Sequence, residues 1–213
     1  MSRALDAMLM LDEISTTQHR GLMQLTDGRI AATDGVAILV ADAELVGTVP
    51  ASVAAVVSVE HFVSVTMPAA VVVATHTGAN LAAWAGPAQG AQNVTCRECH
   101  GSRRVECSEC HQEAACTECD DGMQFIRPVP RPRQLVAYQP DGGVGFDANR
   151  VAMVTQHAEP DEVVTVALDN LHKPTMVVLR AAAWSAAVMV RVALCADEID
   201  PGGALFARQP EAL

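Results

Sequence analysis

The chain has 213 residues, of which half are hydrophobic and 18% are charged, with a formal net charge of −11 and an isoelectric point near 4.9. This length suffices for one large or two small domains with a buried core. The acidic balance excludes a protein whose whole surface binds nucleic acid, so only a local basic patch could contact phosphate. Apolar runs are too short for a transmembrane helix, and no segment resembles a secretory signal. We therefore expect a cytoplasmic protein without membrane contact.

The first ninety residues predict one helix–strand pattern that occurs twice. Apolar side chains at helical spacing indicate an amphipathic helix over residues 2–15. Residues 19–40 alternate β-prone runs with Asp-Gly turns, which is typical of an antiparallel meander. A second helix is expected to begin at Pro50 and to extend to residue 59. Three further strands are predicted, at residues 61–66, 70–75 and 79–85. The fold class is therefore α+β.

Residues 96–122 contain six of the seven cysteines, as three C-x2-C pairs. The candidate metal ligands are Cys96, Cys99, Cys107, Cys110, Cys116 and Cys119. Two such pairs can supply the four thiolates that tetrahedral zinc requires. Disulfides or a redox pair are the alternative, but a reducing compartment favours metal at this spacing. Cys96 and Cys99 could share one zinc with either later pair, and the remaining pair could hold a second ion only with His100 or His111, so we expect one zinc.

The last part of the chain predicts another helix with strands around it. Prolines and arginines make residues 127–134 an extended linker. Beyond it we expect a strand at 135–138, a helix at 147–157, strands at 163–168, 175–180 and 186–194, and a flexible tail over 197–213. The sequence has no phosphate-binding loop, nucleophile elbow or H-E-x-x-H motif. A zinc enzyme would need an open metal position, which six cysteines disfavour, so we expect no enzymatic activity.

Several runs resemble the bacterial sliding clamp, the β subunit of the replicative DNA polymerase III. They are D-G-R-I-A-A-T-D-G at 27–35, T-V-P-A-S-V at 48–53, G-F-D-A-N-R-V-A-M-V at 145–154, K-P-T-M-V-V-L at 173–179 and A-V-M-V-R-V at 187–192. The C-x2-C-H-G run at 96–101 resembles the cysteine-rich zinc module of DnaJ-type chaperones. The resemblance implies a shortened DNA-clamp (processivity) fold of half-repeats. Its parts would be a clamp-like domain at 1–90, a zinc module at 91–126, a linker at 127–134, a clamp-like half-domain at 135–196 and a tail at 197–213.

The resemblance to clamps also implies a function. It implies a non-enzymatic DNA replication and processivity factor that acts as a homo-oligomer on DNA and binds polymerase or other replisome proteins through short peptides. The implied peptide pocket comprises Thr33, Gly35, Pro50, Met189 and Arg191. The predicted helices carry few cations, so DNA contacts are expected instead from Arg103, Arg104, Arg127, Arg131 and Arg133. The alternative is a clamp-derived adaptor or regulator that does not encircle DNA.

Overall fold

The computed structural model describes residues 2–15, 21–49, 52–106, 112–126, 132–134, 136–137, 143–170, 174–194 and 206–207. The chain divides into two compact units. We call the larger one the body; it combines Met1–Gln89 with Pro130–Leu213. We call the smaller one, Gly90–Val129, the cysteine module.

The elements follow one another in chain order. The helices are α1 (Arg3–Ile14), α2 (Ala43–Val46), α3 (Val57–His61), α4 (Met67–Ala69), α5 (Gly78–Ala85) and α6 (Ala148–Thr155). A π-helical turn, Phe62–Thr66, joins α3 to α4, and we call this continuous segment the 57–69 helix. The strands are β1 (Met23–Gln24), β2 (Ile30–Thr33), β3 (Ala37–Ala41), β4 (Val53–Ala54), β5 (Val71–Thr77), β6 (Gln92–Thr95), β7 (Arg104–Glu106), β8 (Glu113–Ala115), β9 (Met123–Ile126), β10 (Pro132–Gln134), β11 (Val136–Ala137), β12 (Gly143–Asp147), β13 (Val163–Leu168), β14 (Met176–Arg180), β15 (Trp184–Leu194) and β16 (Phe206–Ala207). The fold class is α+β, as predicted.

The body contains two units of one helix followed by three antiparallel strands. The first unit is α1 with β1, β2 and β3, and the second is α6 with β13, β14 and β15. β3 and β15 pair antiparallel, from Trp184 opposite Ala41 to Val188 opposite Ala37, and join the two units. The strand order is β4-β1-β2-β3-β15-β14-β13-β5, with β12 paired to the far half of β15 and β10 paired to β12. The centre of the sheet therefore joins a strand from the N-terminal part of the chain to one from the C-terminal part.

Helices cover both faces of this sheet, and all five residues of β3 are buried. Ile38 and Val40 pack in one cluster with Val63 and Met67 of the 57–69 helix. Side chains alternate along a strand, so Leu39 points to the opposite face. Helices α1 and α6 pack against β3 and contribute no residue to that cluster, which indicates that they cover this second face. A buried apolar side chain of this size contributes about 1.5–3 kcal/mol, so both layers stabilise the strand pairing.

Local sequence signals were sufficient to predict the first helix and the final helix–three-strand unit. The predicted helix over 2–15 is α1, whose Ser2 side chain accepts a hydrogen bond from the Leu5 backbone N–H at 3.1 Å. The predicted helix over 147–157 is α6, which begins after the capping residue Asp147. Strands β5, β13, β14 and β15 also lie where the sequence predicts them. These segments combine clear periodicity with a cap or turn residue.

Two predicted strands, at 61–66 and 79–85, are wrong because both segments are helical. β-branched residues favoured a strand, but buried Val63 and Met67 are four residues apart and make a helical stripe toward the sheet. α5 begins where the Thr77 hydroxyl accepts from the Asn80 N–H at 3.3 Å. The helix predicted from Pro50 begins only at Val57, and Pro50 itself lies outside the described residues. The described body therefore has two helix–three-strand units, where three were expected.

The predicted linker and tail both contribute strands. Residues 132–134 of the linker form β10, whose Pro132 stands opposite Asp147 of β12, while 127–131 lie outside the described residues. The tail contributes β16, which pairs parallel with β11. Within the ranges given above, no helix has the length and apolarity needed to cross a membrane.

Candidate metal centre and apolar pocket

Four cysteines of the cysteine module converge on one point. The Sγ atoms of Cys96, Cys99, Cys116 and Cys119 all lie within 4.8 Å of one another. The Cys96–Cys116 Sγ distance is 3.8 Å and the Cys99–Cys119 distance is 3.6 Å. Sulfurs about 2.3 Å from a tetrahedral metal are about 3.8 Å apart, so these distances match the edges of such a site. Cys96 and Cys99 are buried and the other two are half-buried. The cluster is a possible metal site.

Backbone hydrogen bonds position these cysteines by joining each C-x2-C turn to the loop that follows the opposite C-x2-C turn. Strand β6 pairs with β9, and β7 pairs with β8, both antiparallel. The backbone N–H of Cys96 donates to the Gly122 carbonyl at 2.9 Å, and the N–H of Cys116 donates to the Arg103 carbonyl at 2.9 Å. The two turns thus depend on each other for their backbone hydrogen bonds.

Gly101 and Gly122 make this close approach possible. Both have left-handed backbone conformations, with φ of 82° and 81°. A Cβ atom on Gly122 would lie 2.6 Å from the Gly101 carbonyl oxygen. Only glycine combines this φ with such close contact at no steric cost. The two loops therefore pack backbone against backbone directly beside the cysteines.

The thiols of the cluster differ in acidity. Burial alone would raise the pKa of Cys99, but hydrogen bonds from Cys119 and from the backbone N–H groups of Arg103 and Gly101 outweigh it and lower that pKa to about 7. Burial, together with hydrogen bonds to the other cysteines, raises the pKa of Cys119 to about 12. A pKa this high keeps the Cys119 proton in place at neutral pH when no metal is bound. A metal ion must displace that proton, so its binding should release protons and strengthen as pH rises.

The sequence left open which C-x2-C pairs share a metal. The structure brings the first pair, Cys96 and Cys99, together with the third. Cys107, Cys110 and His111 lie outside the described residues. His100 is exposed and is not a member of the cluster, although it directly follows Cys99. Identical spacing in all three pairs gave no local signal for this choice.

The arginines proposed as nucleic-acid contacts have acidic neighbours where the structure describes them. Arg103 pairs with Asp121 at 3.0 Å, and Arg104 pairs with Glu113 at 2.7 Å. All four side chains are exposed, so each pair contributes little stability. Arg133 lies on β10, where only the backbone is described. Arg127 and Arg131 lie outside the described residues. Positive charge at the two described sites is thus locally compensated.

An apolar pocket of about 240 Å³ opens on the body. Its lining includes three residues of the predicted peptide pocket: Thr33, Gly35 and Met189. Pro50 lies outside the described residues, and Arg191 lies on β15 with only its backbone described. Sequence reasoning missed Val59 and Phe62, which line the pocket from the 57–69 helix. The helical spacing of apolar residues in that segment was the available signal.

A buried carboxylate fixes one edge of the pocket, residues 34–37, which we call the lip. Oδ1 of Asp34 accepts from the backbone N–H groups of Val36 and Ala37 at 2.8 and 2.7 Å. Its Oδ2 accepts from Nε of Arg150 at 2.6 Å, and the Asp34 side chain is fully buried. The Met189 N–H donates to the Val36 carbonyl at 2.8 Å. The lip is therefore held from the α6 side and from β15.

Comparison with known proteins gives no relative for this chain: no family model, no curated protein and no solved structure matches it significantly. The cysteine cluster and the pocket are therefore the basis for assigning a function. Both suit binding, since the described lining of the pocket consists mainly of apolar side chains and the cluster consists of four sulfur ligands.

Proposed function

We propose that this chain is a non-enzymatic, sliding-clamp-like protein of DNA replication that binds replisome partners through a short apolar peptide segment. The observation that carries the proposal is the pocket. Thr33 and Gly35 of the β2–β3 turn, and Met189 far along the chain, were selected by resemblance alone, and they line one apolar cavity. The pairing of β3 with β15 brings these residues together, and the apolar cavity beside that pairing is the feature that a peptide pocket requires.

The arrangement of the body supports the same proposal. Two helix–three-strand units joined through β3 and β15 are the kind of half-repeat that the DNA-clamp resemblance implies. The pocket lies where the β2–β3 turn, the 57–69 helix and β15 meet. A clamp-like fold with two half-repeats per chain is the architecture that we propose.

The lining defines the chemistry of the bound peptide. Val36, Ile38, Val59, Phe62 and Met189 present apolar atoms, and methionine adapts easily to irregular shapes. One or two aliphatic or aromatic side chains fit such a cavity. Each contributes about 1.5–3 kcal/mol when buried, so a short segment binds with modest affinity.

The cysteine module is proposed to hold structural zinc. Cys96, Cys99, Cys116 and Cys119 form an all-thiolate set, which zinc favours in structural sites. Four sulfur ligands leave no open position for a reacting molecule. Zinc would supply folding energy to the module by neutralising and joining the four thiolates, in agreement with a non-enzymatic role.

The helices favour the adaptor form of this function over a ring that encircles DNA. Arg3 of α1 lies 3.7 Å from Glu159. Arg150 of α6 is nearly buried between the carboxylates of Asp34 and Asp147. Neutralisation of phosphate by free Lys and Arg supplies most sequence-independent DNA affinity. These two arginines are already compensated, so we place the principal interaction in the pocket.

Self-association is proposed to use strand β5. This strand ends the strand order of the described sheet and contains neither a charged residue nor a proline. Val71 and Val72 are each half exposed. Proteins usually protect an open edge with charges or proline, and an unprotected edge favours pairing with another copy. Val72→Lys should lower the mass observed by light scattering to that of one chain; an unchanged oligomer would refute this contact.

The proposal is tested with labelled pentapeptides rich in Leu, Phe and Met, measured by fluorescence polarisation. Met189→Glu places a charge in the pocket and should weaken binding by about tenfold or more. Met123→Glu is the matched control, since this methionine has a similar exposure but lies on the cysteine module: 42% against 48% for Met189. Equal loss in both variants, or no binding of any peptide by the natural chain, would overturn the proposal.

A further inference from the structure

We propose that the first turn of α6 couples metal binding in the cysteine module to the shape of the apolar pocket, so that the lip is fully ordered only while the metal is bound. The importance of this coupling for partner binding rests on the proposed function. The structural effect does not, because the order of the lip can be measured without a peptide.

The body segments that flank the cysteine module in the chain, Gln89 and β10, both contact the start of α6. At the entering end, the Gln89 N–H donates to Oδ1 of Asn149 at 2.7 Å, and Nδ2 of Asn149 donates to the Gln89 carbonyl at 3.0 Å. At the leaving end, β10 pairs with β12, so that Pro132 stands opposite Asp147. Asn149 lies in the first turn of α6 and Asp147 caps that turn, and both residues are buried.

The same turn holds the lip. Asp147 caps α6 by accepting from the Asn149 N–H at 3.0 Å, and its other carboxylate oxygen accepts a hydrogen bond from Arg150. Arg150 in turn donates to Asp34, whose carboxylate receives the N–H groups of the lip. A displacement of this turn would therefore change the ion pair that orders residues 34–37.

The metal site determines how much loop-closure entropy opposes the Gln89–Asn149 and β10–β12 contacts. Cys96 directly follows β6, and β6 pairs with β9 from Thr95 opposite Met123 to Gln92 opposite Ile126. With metal bound, this pairing keeps the two ends of the module adjacent. We expect loss of metal to release the β6–β9 pairing, so that only the contacts at α6 still hold the flanking residues together. The entropy cost of closing a loop rises with the length of the open loop. In the metal-free protein this cost therefore opposes the Asn149 and β10 contacts.

Amide hydrogen exchange of the full chain, followed by NMR, tests the coupling. In the zinc-loaded protein, the Val36 and Ala37 amides should be protected; after zinc removal by a chelator they should exchange about threefold faster or more. The Thr175 and Met176 amides, which donate to Asp169 at 2.9 and 3.0 Å, serve as the internal reference. The proposal is overturned if lip exchange stays unchanged while β6 and β9 lose protection, or if the reference amides accelerate equally.

A variant pair separates the anchor from a general effect of chelation. Asn149→Ala removes the hydrogen bonds to Gln89. The lip amides should therefore exchange fast even with zinc present, and chelation of zinc should change their exchange rate little. Gln156→Ala is the control, because this exposed residue follows the other end of α6 and should leave the zinc dependence intact. If zinc removal accelerates lip amide exchange in Asn149→Ala as much as in the natural chain, coupling through Asn149 is refuted. Peptide binding is scored separately, so either proposal can fail alone.

Discussion

Replacing Gly122 with alanine should weaken the zinc binding that we propose for the cysteine module, because this glycine touches the backbone of the opposite loop. An alanine at φ 81° costs roughly 1–2 kcal/mol for the left-handed conformation. Its Cβ would also stand 2.6 Å from the Gly101 carbonyl oxygen and 3.1 Å from the Gly101 Cα. Relief of such an overlap between backbone atoms costs about 1–3 kcal/mol more.

Gly101→Ala provides the matched control. Its φ of 82° carries the same conformational cost, but its Cβ would meet only the Cγ2 methyl of Thr95, at 3.3 Å. That methyl is the end of a side chain and can move. The difference between the two variants therefore isolates the loop contact. Since metal binding and folding of such a module are linked, the difference should appear as zinc affinity.

Competition with a chromophoric zinc chelator measures both affinities at one pH. Each 1.4 kcal/mol corresponds to about tenfold, so Gly122→Ala should bind zinc about tenfold to a hundredfold more weakly than Gly101→Ala. Thermal unfolding of the body should be nearly equal in the two. If Gly101→Ala loses as much affinity as Gly122→Ala, or neither variant differs from the natural chain, the loop contact does not support the site.

Three further predictions follow from buried groups. His157 is buried, its ring nitrogens have no hydrogen-bond partner among the described residues, and burial lowers its pKa from 6.5 to about 4. The free energy of unfolding should therefore be highest above pH 6.5 and fall by up to about 3 kcal/mol as the pH drops to 4. His157→Phe should flatten this pH dependence, as measured by urea titrations. Asp34→Asn leaves the buried Arg150 with one carboxylate fewer and should lower the free energy of unfolding by about 2–4 kcal/mol. Asp27→Asn, in an exposed ion pair, should lower it by under about 1 kcal/mol. Equal losses would contradict the role of the lip carboxylate. Replacing Cys96 and Cys99 with serine should release zinc and unfold the cysteine module while far-UV circular dichroism still reports a folded, strand-rich body; loss of the whole spectrum would refute a separable module.

Sequence patterns predicted the parts of the fold that depend on neighbours along the chain. Apolar side chains at helical spacing indicated α1, and Asp-Gly turns indicated the meander that ends in β3. Residues 61–66 failed because β-branched side chains favour strands locally, while burial of Val63 and Met67 against the sheet decided for a helix. Such a decision depends on a partner surface that no short window of sequence contains.

Long-range arrangements were predictable only in part. The pairing of β3 with β15 and the choice of Cys116 and Cys119 as partners of the first C-x2-C pair both join distant segments. Resemblance supplied Thr33, Gly35 and Met189 for the pocket. It did not supply Phe62, because the helix that carries this residue was assigned as a strand. Arg103 and Arg104 were proposed for DNA contact from the sequence, but their pairing with Asp121 and Glu113 became evident only from the structure.

The central pairing of β3 with β15 also sets the order of events during synthesis. The cysteine module depends on short-range pairings and can fold once residue 126 has left the ribosome. Strand β3, with five side chains buried in the finished sheet, has to wait for β15, which is made after the entire module. Non-local strand pairing is slow, and an incomplete sheet exposes apolar surface. A nascent chain stalled between the module and β15 should therefore hold zinc, have an unfinished body and depend on chaperones for solubility.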